Sequence, residues 1–307
     1  MSSKRVPYID VINIVSCFSV VALHCNGYVH RMDHLDSFWW LHVLIEVVFY
    51  NAVPLFFMLS GATLVGYHQR YNTKTFFRKR IKKTFIPFLF LSLCFSLLYA
   101  YTKIDEESIV DISKRVVFGF ITGNVPFTTY WFFIPLFLIY LFMPFISTMV
   151  TGLNKKQLLS LIILIFVLQS CIGPFLHLSN TVNTAINFMH GLPFCNFVIY
   201  VLLGYYLSHN NFENNNRLLL SFIVISILLM SGRYVLIYNL SSHNDIAFNY
   251  VSAYAVFPSA TIFLLAKRFF NKPFRGGEYY IPLKKKFWSL PHPILCYFDN
   301  VQVYSKQ

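Results

Sequence analysis

Apolar residues fall in runs of about 18 to 25 separated by short polar segments, the length an α-helix needs to cross the hydrocarbon core of a bilayer. The runs lie at 8–29, 39–66, 84–101, 130–150, 157–178, 188–208, 217–239 and 248–266. This pattern predicts an all-α polytopic transmembrane bundle of about eight spanning helices. The second run is long and contains Pro54, which predicts a kink within it. From 271 to 307 no apolar run is long enough to span, and Gly276-Gly277 and Lys284-Lys285-Lys286 break the pattern. The expected division is a membrane domain at 1–270 and an atypical cytoplasmic tail at 271–307, of truncated or frame-altered type.

Charge orients the bundle. With the N-terminus in the cytoplasm, sixteen Lys and Arg residues fall on the inner side, among them the cluster from Arg70 to Lys83. Only Arg31, Lys103, Lys114 and Arg115 fall on the outer side, together with seven acidic residues. Basic residues concentrate in cytoplasmic loops, so the N-terminus is predicted inside. Composition agrees: 56% of the 307 residues are hydrophobic and 12% are charged, against about a quarter charged in soluble domains. The mean hydropathy is +0.56. A net charge of +13 is therefore read as membrane topology, with the lipid bilayer as partner and no nucleic acid. The six cysteines are scattered without a CxxC pair and read as reduced packing residues, and no metal site is expected.

Ionisable residues inside a span are costly, so each is a functional candidate. In the first run Asn13 and His24 are eleven residues apart, nearly three helical turns, and Asp10 lies one turn before Asn13. They form a polar stripe along one face, with Asn13 and His24 about 16 Å apart. A neutral imidazole takes a proton from a hydroxyl near neutral pH, which suits His24 to acyl transfer onto an alcohol. It is equally a histidine that hydrogen-bonds a neighbouring helix. Glu46 in the second run pairs with His24 or with another polar group of the bundle, and Arg233 is expected to reach the surface by snorkelling. The basic stretch 70–83 reads as a solvated connector attracted to anionic headgroups. A sharper reading has Arg78, Arg80 and Lys83 binding the phosphates of an acyl donor.

Several stretches taken in order resemble the integral-membrane acyltransferase 3 family. They are Tyr8-Ile9-Asp10 followed by Val20-Val21-Ala22-Leu23-His24, then Val53-Pro54-Leu55-Phe56-Phe57-Met58-Leu59-Ser60-Gly61-Ala62. Arg78-Lys79-Arg80-Ile81 before Pro87, Tyr130-Trp131-Phe132 with Tyr140 and Pro144, and Leu202-Leu203-Gly204-Tyr205-Tyr206 follow. The resemblance implies an O-acetyltransferase of a bacterial cytoplasmic membrane. It would transfer acetyl from cytoplasmic acetyl-CoA to a cell-surface or capsular polysaccharide or its lipid-linked precursor, with no metal. It also implies His24 as catalytic base, supported by Glu46, with Asp10, Asn13, Asn51, Ser60, Arg78, Arg80, Tyr130 and Trp131 binding substrates. Family members often carry arginine where this chain has Asn13, so either another basic residue takes that part or activity is reduced. The alternatives are a glycolipid or acyl-group flippase, a structural subunit of a polysaccharide synthase, or an inactive truncated member.

Overall fold

The computed structural model describes residues 6–30, 37–103, 106–122, 131–172, 193–240 and 249–271. Within them the chain is helical, with α1 at Pro7–Cys25, α2 at Trp39–Phe49, α3 at Ala52–Leu64, α4 at Thr73–Arg80 and α5 at Ile86–Lys103. Then come α6 at Ile109–Thr122, α7 at Phe133–Gly152, α8 at Lys155–Phe166, α9 at Pro193–His209, α10 at Asn216–Leu240 and α11 at Ala253–Phe270. The tail beyond 271 lies outside the described residues.

Local chemistry places several boundaries. Pro7 opens α1, where its missing N–H costs nothing. Asn72 opens α4 by accepting from the Thr75 amide at 2.9 Å. Asn154 and Gln157 form a reciprocal capping box at the start of α8, both bonds at 2.9 Å. The expected kink in the second run is present as a break at Tyr50–Asn51. Pro54 has no N–H to offer the Tyr50 carbonyl one turn back, and the next donor, Leu55, bonds Asn51 at 3.1 Å. Pro87 acts similarly on the helix from Thr73 to Lys103. The turn Ile81–Phe85 before it widens into a π-turn, with the Ile86 amide reaching the Ile81 carbonyl.

Six helical stretches among the described residues are long and apolar enough to cross a membrane: Pro7–Cys25, Trp39–Gln69, Thr73–Lys103, Phe133–Gly152, Asn216–Asn239 and Ala253–Phe270. Six of the eight expected spans are thus whole among the described residues. The other two runs correspond to α8 with its π-turn to Ile172 and to α9, and the segment 173–192 between them is outside the described residues. Two departures share one cause, since hydropathy measures burial in lipid and not helicity. The basic stretch 70–83 was expected as a connector, yet from Thr73 it is helix continuous with the third span. The loop expected on the outer side contains α6, whose first turn is capped by Ser108.

The bundle is held by close backbone contact at its centre. A Cβ added to Gly61 of α3 would overlap the backbone of Val201, and one added to Gly204 of α9 would overlap the backbone of Met58. Small residues let helices approach where hydrophobic burial gives little drive. Around this crossing lie buried Leu55, Phe57, Met58, Tyr200 and Leu202, with α1, α7 and α11 packed outside. The periphery is apolar: Phe90, Phe145 and Leu228 are 65%, 72% and 66% exposed. Such a surface suits lipid tails as solvent.

Contacts between helix ends sort the bundle into two ends. At one, the start of α1 meets the finish of α11 through Tyr8 and Phe263, and Ser147 of α7 bonds the Val65 carbonyl after α3. This end carries the basic residues from Arg70 to Lys83 with Lys155, Lys156, Arg217, Lys267 and Arg268. At the other, the finish of α1 meets the start of α2, and the start of α7 meets the start of α11 through Trp131 and Tyr250. We call them the basic end and the far end.

Candidate active site

The stripe predicted on the first helix faces away from the core. Tyr8, Ile12, Ser16 and Ser19 form the buried side of α1. Asn13 and His24 are exposed and Asp10 is half-buried, all on the side turned from that buried row. The stripe runs from the basic end at Asp10 to the far end at His24. His24 has no hydrogen-bond partner among the described residues. A basic nitrogen without an internal partner can meet an incoming hydroxyl.

Glu46 does not join His24. It is buried against Arg233 of α10, with 3.7 Å between carboxylate and guanidinium. Arg233 itself does not snorkel as expected. It is 1% exposed, and its guanidinium lies 3.6 Å from the centre of the Tyr50 ring. Inside the bundle an anion and an aromatic face compensate the charge, so reaching the surface is unnecessary. Tyr50 in turn stacks on Tyr250 with ring centres 4.3 Å apart, and Tyr250 meets Trp131 at 5.4 Å. Glu46, Arg233, Tyr50, Tyr250 and Trp131 are thus one aromatic and ionic cluster at the far end. Tyr130 lies outside the described residues.

Asn51 and Ser60 are occupied within the bundle. The Asn51 side-chain Oδ1 accepts from Ser259 at 3.1 Å, linking the break between α2 and α3 to α11. Ser60 donates to the Phe56 carbonyl one turn back at 3.1 Å. At the basic end, Arg78 and Arg80 are about 200° apart around α4, and they do not share a face. Arg78 is exposed. The Arg80 guanidinium lies 5.9 Å from the Phe76 ring and 5.7 Å from the Tyr140 ring. Lys79 sits over Tyr71 at 3.8 Å. Among the described residues no three His, Cys, Asp or Glu side chains group as metal ligands.

The sequence reading overlooked a contact beside His24. Asn26, just past α1, bonds both the backbone and the ring of His42 on α2. The signal was present, since a histidine and an asparagine inside or bordering apolar runs each need a partner.

The acyltransferase domain profile of the acyltransferase 3 family matches residues 6–284. The chain belongs to the acyltransferase 3 family. It is a multi-pass membrane protein and, as a family member, a membrane acyltransferase. No curated protein and no solved structure matches the chain. Two stretches on which the resemblance rested meet in space, because Gly61 and Gly204 of this acyltransferase 3 member form the central helix crossing.

Proposed function

We propose that this membrane acyltransferase transfers acetyl from cytoplasmic acetyl-CoA to a hydroxyl of a cell-surface or capsular polysaccharide or its lipid-linked precursor. The observation that carries the reading is the Asp10, Asn13 and His24 stripe on the open side of α1. It leads from the end rich in cations to the end rich in aromatic rings. The basic end faces the cytoplasm and meets the donor. There exposed Arg78 pairs with donor phosphate, while Arg80, on another face of α4 and held over its two rings, adds to the positive potential of that end. Trp131 offers the sugar a stacking face at the far end, and Tyr130 is proposed from the sequence alone as a second one.

In the reaction the His24 imidazole takes the hydroxyl proton as oxygen attacks the thioester carbonyl. The C–S bond then breaks, the proton passes to the leaving thiolate, and ester and free CoA result. Asp10 and Asn13 orient groups along the stripe. Glu46, engaged with Arg233, fixes the wall beside it, while Asn51 and Ser60 hold the helices that frame the site.

The test compares the intact chain with His24→Ala in a bacterial strain lacking its own surface acetyltransferase, measuring ester-linked acetate on purified surface polysaccharide. The expected loss is on the order of 100-fold or more, the contribution of a general base. Full acetate from the variant would remove His24 from the chemistry. Absence of acetate with the intact chain would overturn the acetyl-transfer reading in favour of a flippase or an inactive member.

A further inference from the structure

The helix α6 has no part in the transfer reading. It follows α5 at the far end of the bundle, because Thr73–Lys103 is one helix that starts among the basic residues. Its entry is polar. Lys103 pairs with Glu106, and the Ser108 hydroxyl donates to the Asp111 carboxylate at 2.7 Å and accepts from the Asp111 amide at 3.2 Å. Side chains succeed one another at about 100° around a helix, and on α6 they sort into three flanks. Ile112 and Gly119 are buried and Val116 is half-buried, a line at i, i+4 and i+7 on the helix that packs on α5. Ile109, Val110 and Val117 form a second flank and are 71%, 61% and 60% exposed. Asp111, Lys114 and Arg115 form a third, all exposed, with Lys114 3.9 Å from Asp111 and Arg115 3.1 Å from Glu107. Phe118 stands among these charges.

The second and third flanks require different surroundings. Lipid on both would place three charged side chains in hydrocarbon, and water on both would leave a row of large apolar side chains hydrated. Nor does α6 cross the membrane: its 14 residues extend about 21 Å, against a hydrocarbon core of about 30 Å. At the membrane surface each flank meets its own solvent. The neighbouring surface of α5 says what covers the apolar one. Leu97, Leu98 and Tyr101 are exposed there, so the lipid-facing periphery reaches the last turn of α5, from which the chain passes to α6.

We propose that α6 is an interfacial helix whose partner is the lipid surface at the far end of the bundle. Ile109, Val110 and Val117 lie in the boundary between headgroups and acyl chains, and Asp111, Lys114 and Arg115 stay in water. Phe118 stays with the charged flank on the aqueous side, which its apolar character alone does not suggest. The inference is independent of acetyl transfer.

The experiment uses the full, unaltered chain in phosphatidylcholine vesicles. A small share of the lipid carries a photoactivated diazirine, either high on one acyl chain or at the chain end, and adducts are located by mass spectrometry of peptides. With the shallow probe, adducts at Ile109, Val110 and Val117 should exceed those at Asp111, Lys114, Arg115 and Phe118 by about tenfold or more, since an interfacial helix keeps its polar flank out of the acyl region. Exposed Leu93, within the span of α5, is the internal standard. The chain-end probe should label Leu93 and leave α6 nearly unlabelled. Equal labelling of both flanks overturns the proposal, and so does labelling of α6 by the chain-end probe to the level of Leu93. Labelling of Leu93 with neither flank touched by the shallow probe overturns it as well, because water or another protein then covers the apolar flank.

Discussion

Two buried ion pairs, one at each end of the bundle, handle the same cost in different ways. At the basic end Lys267 lies 3.2 Å from Glu213, both side chains 4% exposed. The Lys267 ammonium also donates to the carbonyls of Leu207 at 3.0 Å and Asn210 at 2.7 Å, while Arg268 donates to the Glu213 carbonyl at 2.5 Å. Two of the three ammonium protons go to these carbonyls, and the Glu213 carboxylate balances the charge. The pair finishes the last turn of α9, where carbonyls lack helical donors and a cation is favoured. At the far end Glu46 and Arg233 are 3.7 Å apart, and the flat guanidinium lies against a tyrosine ring. The choice of cation follows from the surroundings: converging carbonyls suit a compact ammonium, and a ring face suits a planar guanidinium.

The comparison breaks most readily at the basic end. Lys267→Met leaves the Glu213 carboxylate buried without its cation and should cost about 3 to 5 kcal/mol. Thermal unfolding in detergent measures this, and adding Glu213→Gln should restore at least half the loss because no lone charge remains. Arg233→Lys tests the far end. It retains the charge but loses the planar stack on Tyr50, and should cost about 1 to 2 kcal/mol by the same measurement. Were Lys267→Arg to cost nothing and Arg233→Lys the most, the two sites would not differ as argued. The smallest change is Ser259→Ala, which removes the one hydroxyl proton shared between Asn51 Oδ1 and the Ala255 carbonyl and should cost about 1 kcal/mol.

The candidate site was legible in part. Asp10, Asn13 and His24 could be placed on one helical face from spacing alone, because α1 is regular over that length. The partner of Glu46 could not, because it lies on α10, far along the chain, and periodicity carries no information on which helices touch. The same limit hid the meeting of Asn26 with His42. For Arg233, the sequence shows only nearness to a helix end, and whether that end is open or filled by Tyr50 is a matter of packing. The α6 helix was missed for another reason. Its charged residues Asp111, Lys114 and Arg115 interrupt the apolar run that marks a span, although they leave its helical period intact.

Sequence by itself determined the fold class, the approximate course of the apolar helices and the family. Each follows from composition or local order: a helix satisfies its own backbone groups, and lipid admits little else. Tertiary structure decided which polar side chains are occupied within the bundle and which face outward. Asn51, Ser60 and Glu46 belong to the first kind, and Asn13 and His24 to the second. That division depends on contacts between segments distant in the chain, and those contacts exist only once Gly61 and Gly204 have brought the helices together.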